Sequence, residues 1–170
     1  MIKGLILDLD QTLVDSSIAT EARRCRDWQR VYSLIPSFRM YQGITDALNI
    51  ARNKGLKIAI VSTAPRPYVL KVLNYHRIPA DCIIGYHDAS RPKPSPEPML
   101  EALRQMNLRA DEVLSFGDKI SDLQSSRSAG VPFIAYSWGG PQFQRTGSTF
   151  GCRAVLTGPE QLKCYLQQNS

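Results

Sequence analysis

Long apolar runs, closely spaced cysteine pairs and internal repeats are all missing from this 170-residue sequence. The first apolar run ends at Asp8, and no stretch approaches the ~20 apolar residues that span a membrane. None of the four cysteines belongs to a Cys-x-x-Cys pair, which argues against a zinc knuckle and against a thioredoxin-like redox site. We therefore expect a protein without membrane contact that resides, with its thiols reduced, in the cytoplasm.

Charge and length set broad limits on the class of protein. The formal net charge is +6, and 43% of the residues are hydrophobic, which is typical of a globular chain. A chain of this length holds one ordinary domain, so we predict a single domain over residues 1–170. The positive charge would attract nucleic acid or phosphorylated ligands, although an ordinary solvated surface is the preferred interpretation.

Five short runs rich in β-forming residues alternate with segments whose apolar residues recur at helical spacing. This alternation predicts right-handed crossovers and a parallel sheet that is covered by helices on both faces. The predicted fold class is α/β: a three-layer α/β/α Rossmann-like sandwich with a central, mostly parallel five-stranded sheet. The strands are predicted at residues 3–9, 56–62, 81–85, 112–117 and 132–136.

Helices are predicted between these strands and after the last of them. A single helix over residues 18–34, followed by a turn at Pro36, is predicted after the first strand. The segment after Trp138 is predicted to be a loop that leads to the last helix. The remaining helices are predicted to end at Gly55, to follow Pro67, to begin at Pro96, and to cover residues 119–128 and 160–167.

Polar residues collect where the predicted strands end. In an open parallel sheet, ligands bind beyond the carboxyl ends of the strands, because loops and helix N-termini converge there. Four carboxylates at this edge would repel one another unless a cation lay among them, and Mg²⁺ suits oxygen ligands. A hydroxyl and an ammonium remain to hold an anion, so we interpret the site as metal plus phosphate. The strand-end residues are Asp8, Asp10, Ser62, Thr63, Lys93, Asp118 and Asp122.

Four motifs in a fixed order make the sequence resemble the haloacid dehalogenase-like superfamily of phosphatases and phosphotransferases. DLDQTLVD, residues 8–15, is similar to the D-x-D-x-T signature of that family. The motifs and the segment that follow it are IVST with Ser62 and Thr63, RPKPSPEP with Lys93, FGDKISD with Asp118 and Asp122, and AGVPFIAYSWGG over residues 129–140.

The resemblance implies a phosphoric monoester hydrolase: a Mg²⁺-dependent phosphatase that works through an aspartyl-phosphate intermediate. Asp8 would be the nucleophile, and Asp10 would protonate the leaving oxygen and then deprotonate water. An aspartate at position 10 favours phosphate ester chemistry over carbon–halogen cleavage. The family pattern assigns the metal to Asp8, Asp118, Asp122 and the backbone carbonyl of Asp10, the phosphate to Leu9, Ser62, Thr63 and Lys93, and a supporting role to Thr12.

Each of these residues also has a simpler structural explanation. Ser62 is typical of a turn, Lys93 is typical of a solvated loop charge, and acids that begin a helix complement its dipole. Gln11 departs from the family, where glycine is usual, and would alter the loop or offer its amide to the substrate. Two other functions stay open, namely a phosphotransferase or phosphomutase acting on a sugar phosphate, and a regulatory phosphate-binding module without turnover.

The segment between the first two motifs is too short for the helical cap that many family members insert there. Residues 16–41 are predicted to form a short helical insert in its place, which leaves the site open. An open site needs another means of excluding water, such as a large substrate or a neighbouring subunit of a homo-oligomer. Arginines with interleaved aromatics would also suit nucleic acid, although a solvated face is preferred. These arginines are Arg23, Arg24, Arg26 and Arg30.

Overall fold

A computed structural model of the chain describes residues 1–138 and 151–168. Its strands are β1 (Gly4–Leu7), β2 (Val14–Asp15), β3 (Arg39–Met40), β4 (Lys57–Val61), β5 (Cys82–Ile84), β6 (Val113–Gly117), β7 (Phe133–Tyr136) and β8 (Ala154–Leu156). Six of them form the central sheet in the order β5-β4-β1-β6-β7-β8, and all neighbouring pairs are parallel. The other two, β2 and β3, form a small antiparallel ribbon.

Helices follow most of the strands and cover the sheet. They are α1 (Thr20–Arg24), α2 (Trp28–Leu34), α3 (Ile44–Asn53), α4 (Arg66–His76), α5 (Glu97–Met106), α6 (Ile120–Ser128) and α7 (Glu160–Gln168), with 3₁₀ turns at Ser17–Ala19, Ile35–Ser37 and Ala110–Glu112. Over the described ranges, no helix combines the length and the apolar character needed to cross a lipid bilayer.

The alternation of side chains along β1 shows how the three layers are held together. Leu5 and Leu7 belong to a core that includes Ile44 of α3 and Val69 of α4. Ile6, between them in sequence, belongs to a second core on the opposite face of the sheet, together with buried residues of α5. Successive strand residues point to opposite faces, so a fully apolar strand must be covered on both sides. The predicted three-layer sandwich is confirmed.

One strand of the sheet was not expected from the sequence. The segment after Trp138 was predicted to be a loop, but Ala154–Leu156 forms β8, which pairs with β7 in the register Ile134↔Ala154. A segment of three residues is too short to show β periodicity in the sequence. The extended conformation of β8 therefore depends on its pairing with β7. Residues 139–150 of the predicted loop, which include Gly139 and Gly140 of the last motif, lie outside the described residues.

The insert of residues 16–41 contains two short helices, so the single helix predicted over residues 18–34 is wrong. Arg26, between α1 and α2, has a left-handed backbone with a φ of 57°, which a right-handed helix does not accept. The side chain of Asp27 then accepts a hydrogen bond from the Arg30 N–H and begins α2 as its N-cap. The β2–β3 ribbon, with Val14 opposite Met40, joins the two ends of the insert.

Candidate active site

The predicted strand-end residues meet because β1 lies between β4 and β6 at the centre of the sheet. Asp8 directly follows β1, Ser62 follows β4 and Asp118 follows β6. The backbone N–H of Asp8 donates to the carbonyl oxygen of Phe116 at 3.1 Å, which fixes the end of β1 against β6. The structure therefore brings the motifs to one edge of the sheet.

Three buried carboxylates form the centre of this edge. One oxygen from each of Asp8, Asp118 and Asp122 lies within 4.8 Å of the other two. The hydroxyl oxygen of Thr12 lies 3.3 Å from Asp118 Oδ1 and 3.5 Å from Asp8 Oδ2, so the hydroxyl can donate its single proton to either acid. We name Asp8, Asp118 and Asp122 the carboxylate cluster.

Lys93 is the counter-charge of the carboxylate cluster. Its ammonium lies 2.8 Å from Asp8 Oδ1 and 2.5 Å from Asp122 Oδ1, and it donates to the carbonyl oxygen of Val61 at 3.0 Å. The side chain is only 3% exposed. Burial lowers the pKa of Lys93, but Asp122 and Asp8 outweigh this effect and raise it above its ordinary value. Three protein oxygens thus lie within 3.0 Å of the ammonium, so contact with a phosphate would require an exchange of partners.

The donor set fits a hard divalent cation. Among the described residues, Lys93 is the one cation that forms ion pairs with any of the three carboxylates, so two negative charges lack an ion-pair partner when all are ionised, and oxygen is the ligand that Mg²⁺ prefers. Burial, reinforced by Asp8, raises the pKa of Asp118 to about 7. Burial also raises the pKa of Asp122, although Lys93 opposes the shift. Asp118 and Asp122 thus hold protons more strongly than isolated carboxylates do, and a divalent cation would replace those protons.

The raised pKa of Asp118 predicts how metal and pH act together on stability. Between its ordinary value of 3.8 and about 7, the folded chain keeps a proton that the unfolded chain loses. The free energy of unfolding should therefore fall as pH rises through this window when chelator is present. With Mg²⁺ the decline should be smaller or reversed, because the cation favours the ionised cluster. Melting temperatures measured across the window would contradict this if chelator and Mg²⁺ gave parallel curves.

Gly117 allows Asp122 to approach the end of β6. A Cβ at position 117 would lie 2.4 Å from Asp122 Oδ2, too close for any side chain. Gly117→Ala should therefore displace Asp122, separate it from Lys93 and lower any activity that depends on the carboxylate cluster by about 100-fold, as expected when a catalytic group is misplaced by about 1 Å. Gly4→Ala is the matched control, because the atom it meets at 2.7 Å is the movable end of the Leu108 side chain. Equal losses of activity in the two variants would contradict the assignment.

Asp10 lies apart from the carboxylate cluster and is held differently. Its Oδ1 accepts hydrogen bonds from Ser16 Oγ at 2.5 Å and from Tyr68 OH at 2.6 Å, and it lies 2.6 Å from Nη1 of Arg23. Burial, followed by the charge of Asp10, raises the pKa of Tyr68, so this phenol stays protonated and donates. The Asp10 carboxylate is not one of the three acids whose oxygens lie together, and the predicted metal contact through its backbone carbonyl stays a prediction.

A cavity of about 640 Å³ opens beside Asp10. The insert supplies Arg23, Arg26 and Trp28 to its wall, and Lys119, which follows β6, also lines it. Among its lining residues Asp10 is the one acid. Within the described ranges, no carboxylate forms an ion pair with Arg26 or with Lys119. The cavity is thus suited to an anionic group.

The remaining predicted residues take different places around this cavity. Thr63 is exposed on its wall. Ser62 is buried, and its Oγ accepts the Ala64 N–H at 3.1 Å, which is the turn contact that the simpler explanation expects; its proton stays available to an anion. The side chain of Leu9 is fully buried, so only its backbone can meet a ligand. Gln11 has a φ of 61°, and its amide oxygen accepts the Ser16 N–H at 3.2 Å.

The left-handed backbone at Gln11 explains the usual glycine at this motif position. Glycine adopts positive φ without a steric penalty, whereas a residue with a Cβ is strained there. The hydrogen bond from Ser16 partly offsets that strain. Of the two roles proposed for this side chain, the structure supports an effect on the loop.

Comparison with known proteins decides the family. A family model described as haloacid dehalogenase-like hydrolase matches residues 19–136, well over half of the chain. The chain belongs to the haloacid dehalogenase-like hydrolases. The match begins after Asp8 and Asp10, so the place of those two acids in this haloacid dehalogenase-like chain rests on the geometry described above.

The haloacid dehalogenase-like chain is also similar to one of the curated enzymes over part of its length. The phosphoglycolate phosphatase of Escherichia coli (strain K12) is 28% identical over 102 residues, which are 59% of this chain and 40% of that protein. The match thus spans less than half of the relative.

Solved structures confirm the haloacid dehalogenase-like fold. The crystal structure of CbbY from Rhodobacter sphaeroides in complex with phosphate has a TM-score of 0.77 at 18% identity, over 95% of this chain and 96% of the other. A subfamily IA hydrolase from Geobacter sulfurreducens has a TM-score of 0.75 at 20% identity, over 97% and 96%. At these identities the likeness concerns the fold alone.

Sequence reasoning missed three partners of Asp10 in this haloacid dehalogenase-like hydrolase. Arg23 was noticed only as part of a basic segment, and no significance was given to Ser16 or Tyr68. The available signal for Tyr68 was its place at the start of the helix predicted after Pro67, near the edge where ligands bind. The structure shows that this phenol is fully buried there, where its O–H needs a partner. Arg24, which was grouped with Arg23, instead pairs with Glu21 on the surface.

Proposed function

We propose that this chain is a Mg²⁺-dependent phosphatase that hydrolyses a small phosphate monoester through an aspartyl-phosphate intermediate. The observation that carries the proposal is the separation of two kinds of aspartate at one sheet edge. Asp8 belongs to the carboxylate cluster with Lys93, whereas Asp10 lies beside the cavity with its own set of donors. The proposal therefore assigns Asp8 to the transferred phosphate and Asp10 to the leaving group.

The first half of the reaction uses Asp8 and Asp10 together. A carboxylate oxygen of Asp8 attacks phosphorus, the bond between phosphorus and the leaving oxygen breaks, and Asp10 donates its proton to that oxygen. Lys93 holds Asp8 Oδ1 in place at 2.8 Å, which restricts the rotation of the nucleophile. The alcohol then departs through the cavity.

The second half regenerates the enzyme. Asp10, now ionised, removes a proton from a water molecule, and the oxygen of that water attacks phosphorus. The bond between Asp8 and phosphorus breaks, inorganic phosphate is released, and both aspartates return to their starting states. Mg²⁺ bound by Asp8, Asp118 and Asp122 would offset the negative charge of the phosphate and the nucleophile. Ser62, Thr63 and the backbone N–H of Leu9 are proposed to donate to the phosphate oxygens.

A phosphate-release screen tests this function directly. Purified protein with Mg²⁺ would be given sugar phosphates, phosphoglycolate, nucleotides and phosphorylated oligonucleotides, with Asp8→Asn protein as the blank. Release that requires Mg²⁺ and Asp8 supports the proposal, and its absence from the whole panel would contradict it. An added sugar phosphate acceptor distinguishes transfer from hydrolysis, because a transferase would form a bisphosphate in place of free phosphate.

The charge of the cavity predicts which substrates are preferred. Arg26 and Lys119 would hold a second anionic group on the leaving alcohol, such as the carboxylate that the name of the phosphoglycolate phosphatase implies for its own substrate. Arg26→Gln should raise the KM for such a substrate by about 10- to 100-fold, since a charged hydrogen bond contributes about 1.5–3 kcal/mol. The KM for a phosphate ester of a neutral alcohol should change little.

Arg77 offers a matched control for Arg26. It has the same left-handed backbone at the end of a helix, with a φ of 54°, but it is not part of the cavity wall. Arg77→Gln should leave both KM values unchanged. If the two substitutions acted alike, or if Arg26→Gln affected neutral and anionic substrates equally, the preference would be wrong.

A further inference from the structure

The two oxygens of the Asp10 carboxylate have different surroundings. Ser16, Tyr68 and Arg23 all reach Oδ1, at 2.5 to 2.6 Å. In the described part of the chain, no donor reaches Oδ2. Asp10 lines the cavity, so the oxygen without a partner is the one left for a substrate.

The three donors come from separate parts of the fold. Ser16 follows the β2 strand, Arg23 lies on α1 of the insert, and Tyr68 lies in the first turn of α4. A carboxylate held from three directions through one oxygen cannot rotate about its side-chain bonds without breaking at least one contact. Charge-assisted hydrogen bonds are shorter and stronger than neutral ones, which adds to this restriction.

The donors are themselves held by packing. Tyr68 is fully buried, and the rings of Trp28 and Phe38 from the insert lie 5.9 and 6.5 Å from its ring. The guanidinium of Arg23 lies 5.9 Å from the centre of the Tyr68 ring, and its Nη2 donates to the Ser16 carbonyl oxygen at 3.4 Å. The short insert therefore forms a fixed side of the site.

We propose that Arg23 and Tyr68 are positioning residues for proton transfer: together with Ser16 they fix Asp10 through Oδ1, so that Oδ2 carries the proton. The inference rests on the proposed phosphatase function. In the first half of the reaction the proton on Oδ2 passes to the oxygen that leaves phosphorus, and in the second half Oδ2 takes a proton from water, so that the carboxyl group is restored.

Leaving groups of different acidity test this inference. p-Nitrophenyl phosphate releases an acidic phenol that departs without a proton, whereas n-butyl phosphate releases an alkoxide that needs one. Neither leaving group carries a second charge, so the anion preference of the cavity does not affect the comparison. The rate of enzyme phosphorylation would be measured for each ester in single-turnover experiments with Mg²⁺.

Arg23→Met and Tyr68→Phe remove one donor each and keep most of the side-chain volume. With n-butyl phosphate, each substitution should lower the rate of enzyme phosphorylation about 10- to 100-fold, which is part of the 10²–10⁴-fold that positioned acid catalysis contributes. With p-nitrophenyl phosphate, the rate should fall far less. Asp10→Asn should also lower the rate with n-butyl phosphate more than the rate with p-nitrophenyl phosphate, and the difference should be larger than in the other two variants. Arg24→Met, which removes the neighbouring arginine that pairs with Glu21, is the control and should not change the ratio of the two rates.

The outcomes separate this inference from the proposed function. If the wild-type protein is phosphorylated by neither ester nor by any member of the screening panel, the proposed function fails and the inference fails with it. If the wild-type protein is active and both variants slow the two esters equally, Arg23 and Tyr68 have a purely structural role and only the inference is overturned. If neither variant changes either rate, the inference is overturned as well.

Discussion

Asp8→Asn protein should lose the proposed phosphatase activity while it remains folded. An amide cannot attack phosphorus, so kcat should fall by about 10⁴-fold or more, as it does when a nucleophile is removed from other enzymes. The fold should tolerate the change because asparagine has the shape of aspartate. The substitution removes one partner of Lys93 but also relieves the repulsion from Asp118 and Asp122, so stability should change by only about 1 kcal/mol.

Phosphate release and thermal unfolding would be measured side by side for this variant. Asp111→Asn is a suitable control, because Asp111 pairs with Arg109 on the surface and belongs to none of the four motifs. Trapping with borohydride should detect an acyl phosphate in wild-type protein and none in Asp8→Asn protein. Substantial residual turnover in a folded Asp8→Asn variant would show that another residue is the nucleophile.

Lys93→Met should have the largest effect on stability. The ammonium is nearly inaccessible and contacts both Asp8 and Asp122, so its removal leaves buried carboxylates without a counter-charge. Breaking a buried ion pair by removing one partner costs about 3–5 kcal/mol. The loss should be smaller with Mg²⁺, since a divalent cation restores positive charge to the carboxylate cluster. Activity should fall as well, because Asp8 is no longer held.

Urea denaturation with and without Mg²⁺ measures this effect. Lys3→Met is the matched control: Lys3 pairs with Glu112 at 2.6 Å, but its side chain is 56% exposed, so its loss should cost less than about 1 kcal/mol. The assignment of Lys93 as the essential counter-charge would be wrong if the two substitutions cost the same. It would also be wrong if Mg²⁺ stabilised the Lys93→Met variant no more than the wild-type protein.

The sequence predicts the sheet and the cluster well because both depend on local patterns. Short apolar strands that end in polar residues give a parallel sheet, and its topology places Asp8 beside Asp118 whatever the connecting loops do. Lys93 was also correctly expected at this edge. Its three contacts with the protein were not, because the depth of a loop side chain depends on tertiary packing that the sequence does not encode locally.

The contacts of Asp10 were beyond sequence reasoning for a similar reason. Arg23 and Tyr68 reach Asp10 from different helices, and the direction of each side chain depends on how the insert packs against α4. The left-handed backbone at Arg26 separates α1 from α2, and helical periodicity alone does not reveal such a break. β8 is too short to be recognised without its neighbour.

The two tryptophans of the chain lie where the chemistry is proposed to occur, and this gives the protein intrinsic optical probes. Trp138 stacks on Tyr136 with a centroid separation of 3.9 Å, and its indole N–H donates to the Thr12 carbonyl oxygen at 3.3 Å, in the loop that also holds Asp8. Trp28 lines the cavity beside Asp10. Fluorescence from Trp138 should therefore respond to metal binding, and fluorescence from Trp28 to the leaving group. Replacing either ring by phenylalanine would separate the two signals, so the order of ligand binding can be followed without a label.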